Sequence, residues 1–229
     1  MLRLGVASLV GLVSCHAAVA QQYTTLNAPA GGEMGHADIL SLALGGSFSA
    51  SGSLDFSNGS IFADRNRDIG GVHDQVWQPD TYHLTMVARE TDNTHSFGFI
   101  KGGAQFQHPF NQLLRSDEIG SSTTVDIGTA FRWAIDIDDE FGGALLTSRD
   151  NDNAGRRDAM VSYKLYDAAD ELFGYALFFD DGTDRDFNDV AVILSLRPLL
   201  APTPQAASMG LLGLGGLSVL TGRRRRSVN

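Results

Sequence analysis

The sequence predicts an all-β fold: a single antiparallel β-sandwich of jelly-roll-like form, with an N-terminal signal helix and a short C-terminal hydrophobic helix at its ends. Three observations carry this expectation. Apolar and polar residues alternate in short runs, most cleanly in "FRWAIDID", where Phe131, Trp133, Ile135 and Ile137 fall on one face and Arg132, Ala134, Asp136 and Asp138 on the other. A period of two marks a half-buried strand. Clusters of Gly, Asn, Asp and Ser ("SNGS", "RDNDNAG", "DDGTD") separate the runs as turns do. The stretch between the two ends of the chain, about 180 residues, is one domain's length and enough for a real core.

Residues 1–20 read as a secretion signal. Arg3 gives a short positive region, an apolar run extends from Leu4 to Val13, and Ala18-Val19-Ala20 supplies the small-x-small pattern before a peptidase cut. The run is too short to span a bilayer. Leu12-Val13-Ser14-Cys15 also resembles a lipobox, which would make Cys15 a lipidated terminus; the Ala-x-Ala pattern five residues on favours simple cleavage. Cys15 is the only cysteine, so a chain cut after Ala20 has no disulfide, thiolate metal site or cysteine nucleophile.

Residues 21–200 are expected to form the sandwich. Helix is expected only near "HADILSLAL" (36–44) and near "FNQLLRSDEIG" (110–120). "YHLTMVARE" and "HSFGFI" are strand-like, and strands are expected at 131–138, 159–167, 172–179 and 190–197. Val161, Tyr163 and Leu165 share one face, as do Val190, Val192, Leu194 and Leu196. "ELFGYALFF" is apolar on both faces, as a central strand would be. Phe131, Trp133, Ile135, Val192 and Leu194 should point inward.

Residues 201–229 form a tripartite tail. Pro202 and Pro204 break regular structure, an apolar Gly-rich stretch runs from Ala206 to Gly222, and Arg223 to Arg226 follow. About 17 residues of helix would be roughly 25 Å long, the lower end of the spanning range, with the arginines on the cytoplasmic side. Behind a secretion signal, this Arg run is a poor nucleic-acid patch. Five of the 17 basic residues lie in the two end segments and none of the 27 acidic ones does, which leaves the domain at 12 against 27, a net charge of −15. Such a domain repels nucleic acid and attracts cations.

Catalytic signatures are missing: there is no Gly-x-Ser-x-Gly, His-Glu-x-x-His or phosphate-cradling glycine loop in the domain. His36, His73, His83, His95 and His108 form no close-spaced metal pair and read as surface or turn residues. Trp133 belongs to the core; Trp77 could be core or a stacking surface.

The acidic turn "FFDDGTDRDFND" differs from all of this. Asp180, Asp181, Asp184, Asp186, Asn188 and Asp189 fall within ten residues between two apolar runs. Asp184-x-Asp186-x-Asn188 repeats an oxygen ligand at every second position, as the first half of an EF-hand loop does, but Asp189 replaces the required Gly and a strand follows. The expected occupant is one Ca²⁺. Asp184, Asp186 and Asn188 would be ligands, Asp180, Asp181 or Asp189 would complete the shell, and Phe187 would anchor the turn. A turn that caps itself by Asx hydrogen bonds is the alternative. "SRDNDNAGRRD" (Asp150, Asp152, Asn153, Asp158) also begins like a calcium loop but has Ala154 where a third ligand should stand, and "IDIDDE" (Asp136, Asp138, Asp139, Glu140) is a third acidic group.

"FFDDGTDRDFNDVAVIL", with "NDNAGRRDAMVSYKLYD" upstream, resembles a secreted bacterial family of unknown function (DUF4114-like) marked by an acidic Asp-x-Asp-[Phe/Tyr]-Asn-Asp turn before its last strand. The match is strongest over residues 130–197, and "HDQVWQPD…HSFGFI" is similar to the family's N-terminal part. The resemblance implies a secreted β-rich domain, a calcium role for the turn and no established activity. The tail resembles the PEP-CTERM sorting signal, with Thr203 where that signal has Glu. This implies an exosortase-like processing enzyme as partner, membrane attachment through the C-terminal helix before processing, and delivery to the cell surface or an exopolysaccharide matrix. Two function classes follow: a non-enzymatic, calcium-stabilised surface or matrix protein, adhesive or polysaccharide-associated, and a carbohydrate-active enzyme using paired carboxylates.

Overall fold

The computed structural model describes residues 23–52, 54–66, 75–102, 109–138, 144–181 and 184–197. The signal segment 1–20 and the tail 201–229 lie outside the described residues, as do His73 and His108.

Two antiparallel sheets make the fold. Their strands are β1 (Ser49–Ala50), β2 (Phe56–Ser57), β3 (Ile61–Arg65), β4 (Asp80–Arg89), β5 (Thr94–Lys101), β6 (Asn111–Arg115), β7 (Ser122–Ile127), β8 (Phe131–Asp138), β9 (Leu145–Thr147), β10 (Met160–Asp167), β11 (Leu172–Phe179) and β12 (Val190–Ser195). The large sheet runs β1-β2-β3-β10-β11-β12-β4-β7 and the small one β6-β5-β8-β9. The chain crosses between them at β4–β5, β6–β7, β7–β8 and β9–β10. The expected β-sandwich is what forms, and all four strands placed by number from the sequence are present to within two residues.

The large sheet is buried on both faces at its centre, β10 to β12, and the alternation of side chains assigns residues to each. Val190, Val192, Leu194, Leu177 and Phe179 face the small sheet, where they meet Phe97, Phe131, Trp133 and Ile135. Trp77 joins this layer, its ring edge-on to Tyr175 at 4.9 Å, which settles it as core. Ala191, Ile193, Ala176, Phe178, Val161, Tyr163 and Leu165 face the other way. That second layer is closed by helix α1 (His36–Leu44) through Ile39 and Leu40. The helix ends at Gly45, whose φ of 77° turns the chain out of the helical path. Five inward residues expected from the sequence, Phe131, Trp133, Ile135, Val192 and Leu194, are all fully buried.

Three expectations are corrected. Residues 110–120 contain no helix: Asn111–Arg115 is strand β6, paired with β5, and a turn follows. A short segment of mixed propensity takes the state its neighbours offer, here the open edge of β5. Gly98 makes this pairing possible, because a Cβ there would lie 2.1 Å from the Asn111 carbonyl oxygen. Second, Arg132, on the polar face of β8, does not face solvent. It is fully buried and its Nη1 donates to Asp152 Oδ2 at 2.6 Å. Third, His36 and His95 are buried, not surface residues.

Candidate metal centre

The acidic turn joins β11 to β12, adjacent inner strands of the large sheet. Phe187 drives it inward: its side chain is fully buried in the layer under α1. The neighbouring polar residues are carried in with it. Asp180, Asp186, Asn188 and Asp189 are all buried, while Asp184 is exposed at the mouth. Arg185 and Phe187 both adopt left-handed backbone, φ 67° and 58°. That conformation costs about 1–3 kcal/mol for a residue with a Cβ and persists only where surroundings impose it.

His36 is one such constraint. Its Nε2 lies 3.1 Å from the Asp186 carbonyl oxygen and 3.0 Å from that of Phe187, and its Nδ1 lies 2.8 Å from the Tyr163 hydroxyl. The ring stacks on Phe178 at 4.0 Å. Burial pushes its pKa down to about 4, so the neutral ring donates from Nε2 and accepts at Nδ1. The segment before α1 adds more bonds: the Asn27 N–H donates to the Arg185 carbonyl at 3.0 Å, and the Asn27 side-chain amide donates to the Asp184 carbonyl.

Carboxylate oxygens converge in two overlapping sets. Those of Asp180, Asp184 and Asp189 lie within 4.8 Å of one another, and so do those of Glu33, Asp184 and Asp186. Two ligands on opposite sides of Ca²⁺, each at 2.3–2.6 Å, are about 4.6–5.2 Å apart, so the spacing within each set suits a calcium shell. Glu33 was not legible as a site residue, being about 150 residues away in sequence; the segment before α1 delivers it. Asn188 is tied from the same side, its Nδ2 donating to the Met34 carbonyl at 3.1 Å and approaching Glu33 Oε2 at 3.4 Å.

The oxygens that remain are informative. Asp186 Oδ2 and Asn188 Oδ1 are buried and accept no hydrogen bond. Leaving a buried acceptor unsatisfied costs about 1–3 kcal/mol, more for a charged one. The Asx contacts inside the turn do not relieve this: the Asp186 N–H reaches Asp184 Oδ1 at 3.5 Å and the Asn188 N–H reaches Asp186 Oδ1 at 3.4 Å, both beyond good hydrogen-bond range. The bond from the Asp181 N–H to Asp189 Oδ2, at 2.7 Å, is a strong one.

The electrostatics follow the geometry. Burial first, then the charge of Asp184, pushes the Asp186 carboxyl up to about 7. Burial, then the charges of Asp181, Asp180 and Asp184, pushes Asp189 up to about 8. Asp181 is different. Contact with His95, whose Nε2 lies 3.5 Å from Asp181 Oδ2, holds its carboxyl below the ordinary range, aided by Asn93 and Thr91. Thr91 and Asn93 donate to the same oxygen at 3.2 and 3.3 Å. Asp181 therefore fastens the turn to the β4–β5 connection and is absent from both converging sets. Of the six residues read from the sequence, Asp180, Asp184, Asp186 and Asp189 fall in those sets, and Asn188 adds its unsatisfied oxygen.

The upstream acidic loop is built otherwise. Asp152 meets Arg132 at 2.6 Å and Arg149 at 3.7 Å. Asn153 Oδ1 accepts from the Thr147 N–H at 2.8 Å, and its Nδ2 donates to the Thr147 and Arg157 carbonyls. Asp158 accepts from the Thr24 hydroxyl.

No protein-family model matches the chain, and no curated protein matches it. Among solved structures, the C-terminal domain of BC2L-C lectin from Burkholderia cenocepacia is similar at 14% identity and a TM-score of 0.32, over 55% of this chain and 97% of that one. At that score the likeness assigns neither ligand nor activity to this chain.

Proposed function

We propose that this is a non-enzymatic, exported cell-surface or extracellular-matrix protein, adhesive or polysaccharide-associated, whose acidic turn is held by one Ca²⁺. One observation carries the metal reading: Asp186 Oδ2 and Asn188 Oδ1 are buried acceptors without a donor, beside carboxylates whose oxygens converge. Close carboxylate pairs at about 5 Å repel by about 3 kcal/mol at an effective dielectric of about 20. A cation turns that repulsion into attraction. The donor set is all oxygen, without His or Cys, which suits a hard ion; its irregular disposition suits Ca²⁺ over the strictly octahedral Mg²⁺. Asp180, Asp184, Asp186, Asn188, Asp189 and Glu33 would hold it. The ion would clamp the β11–β12 turn to the segment before α1, a cross-link in a chain without disulfides.

Calorimetric titration of chelator-treated protein tests this. One Ca²⁺ per chain with weaker Mg²⁺ binding is the expected result, and no heat with either ion would remove the site. Secretion, an exosortase-like partner and membrane attachment through residues 206–222 belong to the same reading. They rest on the two end segments, and the intact mass of protein recovered from its native cells checks them together, lipidation of Cys15 included.

A second reading, a carbohydrate-active enzyme, draws on one observation. Asp55 and Asp64 line a common pocket, and partial burial, then the charges of Asp55 and Asp170, raise the Asp64 carboxyl. A raised carboxyl beside a second one is what acid–base hydrolysis of a glycoside uses. Release of reducing ends from a neutral oligosaccharide, lost in Asp64→Asn, would favour it over the binding protein.

A further inference from the structure

We propose that the pocket beside the β3–β10 pair binds one ring of a neutral saccharide. This deepens the polysaccharide-associated reading and rests on it. The pocket measures about 320 Å³, with Asp55, Asp64, Arg65 and Lys164 as its charged lining and Tyr23, Asn66 and Tyr166 completing it. That volume is at the low end for small-molecule sites, so one ring enters and the rest of a chain stays outside.

The strand pairing sets the arrangement. Asp64 and Lys164 are direct partners across β3 and β10. Tyr166, two residues on, shares the face of Lys164. Arg65 is buried; its backbone N–H donates to Asp55 Oδ1 at 3.0 Å and its Nη2 donates to the Thr24 carbonyl at 3.0 Å. Asn66 is buried too, its Nδ2 donating to Ser162 Oγ at 2.8 Å. The lining is thus held from behind by β10 and by the segment before α1.

The charge pattern selects the ligand class. Two carboxylates and two cations leave the pocket neutral, on a domain of net charge −15. Neither an anion nor a cation is drawn in by net charge, and the acidic surroundings repel polyanions. What the pocket offers is carboxylate acceptors beside ammonium and guanidinium donors, the complement of neighbouring hydroxyls that each donate once and accept once. Tyr23 and Tyr166 add rings with an apolar body and a polar tip, fitted to the mixed C–H and O–H surface of a sugar ring.

The full chain, purified in mild detergent with calcium, is titrated calorimetrically with maltohexaose, cellohexaose, mannohexaose and, as a polyanion, hexagalacturonate. Tyr166→Ala and Asp64→Asn are titrated alongside, with thermal melts to establish that each variant is folded. The wild-type chain is also sedimented with the exopolysaccharide of its native cells. Binding of at least one neutral hexaose, weakened tenfold or more in both variants, with no hexagalacturonate binding, supports the pocket. Binding of a neutral hexaose that both variants leave unchanged overturns the pocket while the polysaccharide reading stands. So does sedimentation with exopolysaccharide when no hexaose binds. Failure of both sedimentation and hexaose binding overturns the pocket and the polysaccharide reading together. Hexaose cleavage that Asp64→Asn abolishes, with binding retained, supports the pocket as a saccharide site and overturns the non-enzymatic reading.

Discussion

In the loop after β9, Asp152 meets Arg132 and Arg149, and Asn153 fills its hydrogen bonds from the backbone around it. In the turn after β11, two buried oxygens, on Asp186 and Asn188, receive no donor at all. The two segments look alike as sequence, each a run of Asp and Asn opening like a calcium loop. Their difference lies in where the positive charge comes from. Arg132 projects from β8 onto the first loop and pairs with Asp152 from within the fold. The second turn buries Asp186 and Asp189 with their carboxyls raised, a state that only protons or an added cation relieve. Acidic clustering alone therefore does not identify a metal site; carboxylates that converge, with buried acceptors among them and no paired arginine, do.

The comparison breaks most visibly at Arg132. Removing one partner of a buried ion pair leaves the other charge uncompensated and costs about 3–5 kcal/mol. Arg132→Ala should lower the melting temperature by about 10 °C, equally in calcium and in chelator. A loss that calcium rescues would mean that the first loop binds metal too.

Calcium is expected to have the next largest effect. An ion that binds only the folded state stabilises by about 2.7 kcal/mol at a hundredfold excess over Kd. Melting temperature should rise by several degrees from chelator to millimolar calcium. The rise should vanish in Asp186→Ala, shrink in Glu33→Gln and persist in Asp150→Ala. Equal melting of the wild-type protein in both buffers would leave the turn without its ion.

Proton linkage sharpens the contrast further. The folded state raises the Asp186 carboxyl to about 7 and the Asp189 carboxyl to about 8, against an ordinary value near 4. A raised carboxyl is disfavoured in its charged form, so its contribution is fully present below about pH 4 and is lost as pH rises through the folded values. In chelator, urea unfolding should show stability falling between about pH 4 and pH 8. Calcium should flatten that slope at the upper end, where the carboxylates are ionised and bind it. A calcium-free profile that rises over the same range would contradict the buried arrangement of Asp186 and Asp189.

The smallest effect is expected from the tail. A chain ending at Pro202 should melt within about 1 °C of the full chain and keep its calcium response, because among the described residues both cores are built from the 26–196 stretch. A larger loss would make the tail part of the domain.

Much of the fold was legible because it depends on local pattern. The alternation at Phe131, Trp133 and Ile135 and at Val190, Val192 and Leu194 reports which face meets another sheet, whatever that sheet is. The double-sided apolar run of β11 marked a strand covered on both faces, and α1 supplies the second cover. Strand β6 was misread as helix because "NQLLR" has no strong preference and the free edge of β5 decided its state. His36 and Arg132 were misread because burial of a polar residue depends on partners distant in sequence: Tyr163 for one, Asp152 for the other.

By itself, then, the sequence determined the sandwich, its main inward faces and the crowding of carboxylates between β11 and β12. These follow from period, turn chemistry and charge over ten residues or fewer. Tertiary structure alone decided that Glu33 and Met34 close over the turn, that Asp181 turns away to Thr91, Asn93 and His95, and that Asp55 and Arg65 come together with Lys164. Each of those contacts joins segments too far apart in sequence for any local pattern to record. Which acidic loop pairs a carboxylate with a buried arginine was settled by the same long-range packing that set Arg132 against Asp152.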